Sequence, residues 1–450
     1  MKKIVIQGLG YVGLAMMSFC AGARHNGKYL YNVVGIEKNS SNGKKIIDYI
    51  NSGLPPRIVD DKVFLNFYSK ISKDNRVRAS IDLKEYSKAD IIFVCSNCDY
   101  NFSDNKVELK KFVKNINDIS KKIKDGCLLI IQTTLPPGTT YKILKPLIKK
   151  NINKRGLKKF YLCHSFERIT PGKDYYHSMK TTERIVGSDD IIALNKTKKV
   201  FRDIFKINSN KVITFNSSTE SETCKIIENS YRATNIAFIE EWRNFCSKNN
   251  LDLEKILSSI RQRKTHNNIM RSGIGVGGYC LTKDPLFGKA SSKQVFFKNF
   301  EFPLSTKAVD INHKMTLNVM SEIQNKFKDK IFKKKILLIG VSYREDTNDT
   351  RYSPAQEVYD YFDKLKCKIN FYDPLVNYWS YSEQNSIDQK IFDKFDVYVH
   401  LINHKYFRSQ KFSYKKKSII LDLNHVLNIS TRKKLKKAGY NTYFIGSKNT

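Results

Sequence analysis

Lys2-Lys3-Ile4-Val5-Ile6-Gln7-Gly8-Leu9-Gly10-Tyr11-Val12-Gly13-Leu14-Ala15-Met16-Met17 is the stretch that decides the fold. Lys2 to Ile6 reads as a short buried strand, Gly8-x-Gly10-x-x-Gly13 as a turn, and the apolar residues from Leu14 towards Ala23 as a helix. The same stretch imitates a secretory signal, with Lys2-Lys3 before an apolar run from Ile4 to Ala21 and small residues at Ala21-Gly22-Ala23. Glycines 8, 10 and 13 interrupt that run and favour strand, turn and helix. In such a unit the first glycine makes the tight turn and the second lets backbone approach a pyrophosphate. The third permits close helix packing, and the helix N-terminus faces the phosphates. Gly8, Gly10, Tyr11, Val12 and Gly13 are therefore the expected cofactor loop.

A second strand is expected at Tyr31 to Ile36. Glu37 at its end offers a carboxylate to ribose hydroxyls and, by repelling a 2′-phosphate, favours NAD over NADP. Its distance from Gly13 is a little longer than usual, which points to an insertion around His25 to Tyr31. Apolar runs at Ile91 to Cys95 and Cys127 to Gln132 alternate with helical patterns such as Glu108 to Lys124, the rhythm of a parallel α/β sheet. At Thr219-x-x-Glu222 a capping box is expected to open a long helix reaching about Lys248. A second strand series begins at Lys335 to Gly340 and continues at Lys368 to Tyr372, Val397 to Leu401 and Ser418 to Leu421. The expected architecture is α/β, with two Rossmann-like domains joined by a helical central domain. Its expected boundaries are 1–210, 211–328 and 329–450.

The chain has 450 residues, 41% hydrophobic and 27% charged, with 10 Pro and 21 Gly, which excludes a disulfide miniprotein and a disordered or fibrous chain. Lys+Arg 80 against Asp+Glu 43 gives a net charge of +37. The lysines are spread in short clusters along the whole length, without a basic arm or zinc-finger spacing. They read as a solvated surface suited to an anionic small substrate, and no nucleic-acid partner is expected. Nine scattered cysteines argue for a reducing compartment, the cytoplasm by default. Cys95 and Cys98 form a lone C-x-x-C without further ligands, so no metal is expected. No second segment is long and apolar enough for membrane insertion.

Two further constellations carry chemistry. Glu222, Lys225 and Asn229 fall at i, i+3 and i+7 and share one helix face, which spacing alone reads first as a solvent stripe. Gly273-Ile274-Gly275-Val276-Gly277-Gly278-Tyr279-Cys280-Leu281-Thr282-Lys283-Asp284-Pro285 is a glycine-rich wrap that ends on a thiol beside a cation. A nearby Lys favours the thiolate, the nucleophilic form.

With these motifs the chain resembles the UDP-glucose/GDP-mannose dehydrogenase family, the nucleotide-sugar 6-dehydrogenases, over nearly its full length. Gly273 to Pro285 looks like the family's catalytic-cysteine loop, and Gln132-Thr133-Thr134-Leu135-Pro136-Pro137-Gly138-Thr139-Thr140 like its S-T-V-P-x-G-T loop. Glu167-Arg168 with Pro171-Gly172 is similar to the E-R-x-x-P-G loop of the branch acting on N-acetylated sugars. Glu222-x-x-Lys225-x-x-x-Asn229 matches the central-helix motif, and Asp349 to Pro354 the D-x-R-x-S-P motif.

The resemblance implies a homodimer that binds NAD in its first domain and a UDP-sugar through its last. It implies oxidation of carbon 6 to a carboxylate in two hydride transfers, with Cys280 forming a thiohemiacetal and then a thioester. By the same resemblance Lys225 and Asn229 stabilise the oxyanion, and Asp284 with Thr134 handles the water. Glu167 is assigned to the reacting end of the sugar as acid, base or orienting group. Thr134, Lys283 and Arg351 are implied cofactor contacts; Glu167, Arg168, Lys225, Asn229, Gly277 and Arg344 are implied substrate contacts. Departures are Cys98 where the family has Thr, Arg344 for Lys, and Pro171 where the glucose branch has Glu. The loop tilts the sugar towards an N-acetylhexosamine and Lys283-Asp284 tilts back, so the sugar stays open. A catalytically silent nucleotide-sugar or dinucleotide binder of the same fold is the alternative.

Overall fold

Strands whose residues are apolar on both faces need cover on both, and the first sheet shows why its strands read as unbroken apolar runs. The computed structural model describes residues 1–56, 59–169, 171–208 and 211–448. It divides into two compact units, Met1–Glu228 with Leu286–Phe302, and Asn229–Pro285 with Pro303–Thr450. The boundary expected at residue 210 falls on a residue outside the described ones.

The first unit holds an eight-stranded sheet in the order Val212–Phe215, Arg184–Gly187, Phe160–His164, Cys127–Ile131, Ile91–Val94, Lys2–Gln7, Tyr31–Ile36, Ala79–Ser80. Neighbours run parallel except Phe160–His164 against Arg184–Gly187, which meet antiparallel at His164 and Gly187. Side chains alternate across the sheet with period two. Ile4 and Ile6 face a cluster with Leu14, Met17 and Phe201, whereas Val5 faces one with Phe112, Ile116 and Ile148. Strand order reverses between Lys2–Gln7 and Ile91–Val94, the switch point at whose carboxyl edge such sheets take ligands.

The helix after the first strand spans Tyr11–Gly22, starting earlier than the apolar pattern suggested because Gly10 is already its extended N-cap. The expected insertion is a small hairpin, Arg24–His25 paired with Lys28–Tyr29. Asn26 and Gly27 turn it at φ 47° and 77°, the positive pair that a two-residue hairpin loop demands.

In the second unit a five-stranded parallel sheet runs Lys368–Tyr372, Lys335–Ile339, Val397–His400, Ile419–Asp422, Asn441–Phe444. Helix Pro303–Phe327 packs Val319, Met320 and Ile323 into the same core as Val358 and Phe362 of helix Pro354–Lys364. The long helix Ser218–Lys248 carries Arg243, whose buried guanidinium bonds Glu240 at 2.7 and 2.8 Å and Glu322 at 2.7 Å. No helix among the described residues is long and apolar enough to cross a membrane.

Candidate active site

The carboxyl edge of the first sheet is built from three loops. Gly8 has φ +85°, and a Cβ there would stand 3.1 Å from the Ser96 nitrogen. A Cβ on Gly13 would lie 1.8 Å from the Gly8 carbonyl oxygen, so helix and loop touch only because the side chain is absent. Above Gly10 there is nothing within 4 Å, the open approach a pyrophosphate requires. Glu37 accepts from the Leu9 amide at 2.8 Å and from Lys38 at 3.0 Å, which ties the carboxylate after the second strand to the glycine loop. Tyr11 and Val12 are partly buried at the start of the helix, and the Tyr11 carbonyl accepts from the Tyr175 hydroxyl. These residues fit a dinucleotide.

Beside this loop, Cys95 Sγ donates to Gln132 at 3.2 Å, and Gln132 Nε2 donates to Glu167 at 3.0 Å. The other Glu167 oxygen accepts from Arg184 Nη1, and both side chains are almost wholly buried. Arg184 stacks 4.0 Å over the Phe205 ring, and among the described residues its Nε and Nη2 have no hydrogen-bond partner. A carboxylate so committed is an anion held in place. Lys225 Nζ donates to the Glu167 carbonyl at 3.1 Å and lies 5.2 Å over Phe166, while Arg168 pairs with Glu228 at 3.1 Å. Thr134 is partly exposed and its neighbour Thr133 donates to the Ser96 carbonyl at 2.6 Å.

Glu222 departs from the expected capping box. Its carboxylate is fully buried and accepts from Gly138 N at 2.6 Å, Thr140 N at 2.9 Å and Thr140 Oγ1 at 2.6 Å. The amide of Thr219 is capped instead by Ser217 Oγ at 3.1 Å. The local spacing matched a box, but three donors on the 138–140 segment outweigh one backbone N–H.

The second unit carries the thiol. Of the nine cysteines only Cys280 is exposed, the other eight being buried or half-buried. Its carbonyl accepts from Lys283 and Asp284 amides at 3.2 and 2.9 Å, a tight turn that presents the side chain outward. Asp284 is buried; one oxygen accepts from Asn229 Nδ2 at 2.7 Å and the other from Lys283 Nζ at 2.8 Å. Lys283 also lies 4.2 Å over the Tyr279 ring.

The glycine-rich loop packs directly on the segment from Tyr343 to Pro354. A Cβ on Gly277 would meet the Tyr352 carbonyl at 2.7 Å, and one on Gly278 would meet the Tyr343 ring at 2.6 Å. Two motifs far apart in sequence thus share one patch with Arg344. Arg344 is partly buried, and among the described residues its guanidinium has no ion pair. Arg351 is clamped on Asp349, Nη2 to Oδ2 at 2.6 Å. Among the described residues no cluster suits a metal ion.

Residues 2–232 match the NAD-binding domain of the UDP-glucose/GDP-mannose dehydrogenase family, 219–314 its central domain and 337–429 its UDP-binding domain. The chain belongs to that family. It is an NAD-dependent UDP-sugar dehydrogenase. The dehydrogenase is 28% identical to the UDP-N-acetyl-D-mannosamine dehydrogenase of Methanococcus vannielii over 99% of this chain and 97% of the other. With the Campylobacter jejuni enzyme of the same name it shares 25% over 90% and 96%. The solved UDP-D-ManNAc dehydrogenase of Pyrococcus horikoshii superimposes with a TM-score of 0.81 at 24% identity, covering all of both chains, which shows the fold.

Several residues of the site were not among the sequence-derived candidates. Arg184 opens an apolar strand, and a lone cation at that place in Arg184-Ile185-Val186-Gly187 is the signal that could have flagged a buried pair. Gln132 stands in the loop already singled out, but its partners Cys95 and Glu167 lie far along the chain and nothing local announces them.

Proposed function

We propose that the dehydrogenase oxidises carbon 6 of a UDP-N-acetylhexosamine, UDP-N-acetyl-D-mannosamine foremost, to the uronate through a covalent bond to Cys280. The observation that carries this is the single exposed thiol, held at the end of a glycine-rich turn whose buried Asp284 is bonded to Asn229. The names of the most similar relatives and the Glu167-Arg168-x-x-Pro171-Gly172 loop favour the N-acetylated sugar.

NAD, held by the Gly8, Gly10 and Gly13 loop with Glu37 at its ribose, would supply the hydride acceptor for each of the two oxidations. The first turns the alcohol into an aldehyde; the Cys280 thiolate adds to its carbon and forms a thiohemiacetal. Loss of a second hydride gives the thioester, and water displaces the thiolate to leave the carboxylate. Covalent capture keeps the aldehyde from escaping between the oxidations. Asn229, oriented by Asp284, and Lys225, steadied by the Glu167 carbonyl, supply donors for the oxygen that becomes negative. Asp284 and Thr134 orient the water, and Glu167, anchored by Arg184, orients the sugar. Arg168, Gly277 and Arg344 contact the substrate, and Lys283 and Arg351 the cofactor. NADH formed per UDP-N-acetyl-D-mannosamine consumed should be two; a ratio of zero with tight binding would leave only a silent binder.

The same reading makes the chain a cytoplasmic homodimer. Tyr231, Phe238, Trp242 and Phe245 lie exposed along one side of the long helix, an apolar face suited to a second copy. Sedimentation of the W242A/F245A pair should show monomer where the parent shows dimer.

A further inference from the structure

The loop that follows strand Cys127–Ile131 is held from both ends by the first turns of the helix Ser218–Lys248. At its start, the Thr133 carbonyl lies 3.2 Å from His164 Nε2, and His164 Nδ1 lies 2.7 Å from the Ser221 hydroxyl. At its end, Gly138 N, Thr140 N and Thr140 Oγ1 all converge on the Glu222 carboxylate. Between them the Pro137 carbonyl accepts from Ser291 Oγ at 2.6 Å. Gly138 sits at φ +86°, and a Cβ there would meet the Phe296 ring at 2.8 Å, so this backbone has little room to relax. Lys225 is one turn beyond Glu222 on the same helix.

We propose that Glu222 is a positioning residue: its ionised carboxylate fixes the loop from Thr133 to Thr140 against the helix that delivers Lys225, and so sets where Thr134 meets the cofactor. This deepens the function proposed above and rests on it only for the role of Thr134. Three donors aimed at one buried acceptor are orphaned together when that acceptor is lost. The carboxylate accepts from all three at full strength, whereas protonation turns one oxygen into a donor and weakens or reverses the contact it makes.

Burial pushes the Glu222 carboxyl up to about 8, opposed by the Thr140 and Gly138 hydrogen bonds and assisted by the negative charge of Asp189. His164, at the other end of the loop, is pushed by burial down to about 4 and stays neutral throughout the range that matters. The loop is therefore fully set on the alkaline side and slackens as the pH falls through Glu222's titration.

Calorimetric titration of the full chain with NAD across pH 6 to 9.5 tests this. Affinity should rise with pH in the parent, and Glu222→Gln should lower it by about tenfold or more at alkaline pH and flatten the profile. Thr140→Val, close in shape, should lose part of that affinity and Thr140→Ser should restore it. Amide exchange at Gly138 and Thr140 should quicken in both Glu222→Gln and Thr140→Val. An unchanged pH profile and unchanged amide protection in Glu222→Gln would overturn the proposal, as would additive losses in the Glu222→Gln/Thr140→Val pair. Because NAD binding is the readout, failure of the Cys280 chemistry would leave this result standing.

Discussion

The two large sheets begin alike and then part. In the first, Gly8 turns the chain at φ +85° and its amide bonds the Ile36 carbonyl; in the second, Gly340 turns at φ +83° and bonds Tyr372. Each next strand ends in a carboxylate that reaches back to the turn. Glu37 takes one loop amide, Leu9, leaving Gly10 open and the helix starting at once at Tyr11. Buried Asp373 takes two, Val341 at 2.8 Å and Ser342 at 3.3 Å, and the helix waits until Pro354. In the second turn the Val341 and Ser342 amides are taken by Asp373, so these two donors are not offered to a ligand as the Gly10 edge is. A repeated fold does not imply a repeated ligand; the amides left unspent decide it.

The largest effect expected from this division of labour concerns the thiol. If the second unit supplies the nucleophile and the first the glycine loop for the cofactor, Cys280→Ser should cut acid formation by at least about a thousandfold while NAD affinity stays at the parent value. Undiminished uronate from that variant would remove the nucleophile from the mechanism.

Next in size is the glycine comparison. Gly13→Ala forces a Cβ to within 1.8 Å of the Gly8 oxygen, and should cost about 3 kcal/mol of loop integrity, or roughly a hundredfold in NAD affinity. Gly340→Ala is strained as well, with Ile402 Cβ at 2.7 Å, and should lower the urea midpoint yet leave NAD affinity alone. Equal losses of NAD affinity in the two variants would erase the distinction between the turns.

Buried histidines give the two units a shared acid sensitivity of smaller size. His164 in the first and His400 in the second are each held by burial at about 4. An unfolded histidine titrates near 6.5, so between those values the unfolded chain binds more protons, and stability falls as the pH falls. At pH 5 each histidine should have removed about 2 kcal/mol, with nothing lost above 6.5. Urea unfolding of a His164→Gln/His400→Gln variant at pH 7.5 and 5 should show a flatter dependence than the parent, and an equal slope would refute the assignment.

Much of this molecule was legible because its signals are local. The glycine loop, the strands at Tyr31 to Ile36 and Lys368 to Tyr372, and the long helix from residue 218 follow from periodicity and turn residues within a few positions. What stayed hidden depends on distant partners. Thr219-x-x-Glu222 has the spacing of a capping box, yet Glu222 turns to donors more than eighty residues away, and spacing along a chain carries no information about them. Arg184 is tolerated in an apolar strand only because Glu167 meets it, and neither residue announces the other. The pairing of the glycine-rich loop with Tyr343 and Pro354 is likewise a property of the folded second unit. Only geometry shows that contact.

The finest difference between the two turns lies in their carboxylates, and it is testable without disturbing either fold. Glu37→Gln keeps an oxygen to accept from Leu9 and removes the charge, so the loop should survive while repulsion of a 2′-phosphate disappears. NADP affinity should then rise by about tenfold relative to NAD, a shift near 1.4 kcal/mol. Asp373→Asn should leave that ratio untouched, because its carboxylate is spent on the Val341 and Ser342 amides, and instead should lower stability by about 1 to 3 kcal/mol as a buried acceptor becomes partly a donor against them. Side-by-side titration of both variants with NAD and NADP separates the outcomes. A ratio that moves with Asp373, or stays fixed with Glu37, would mean that the open turn does not own the cofactor's adenosine end.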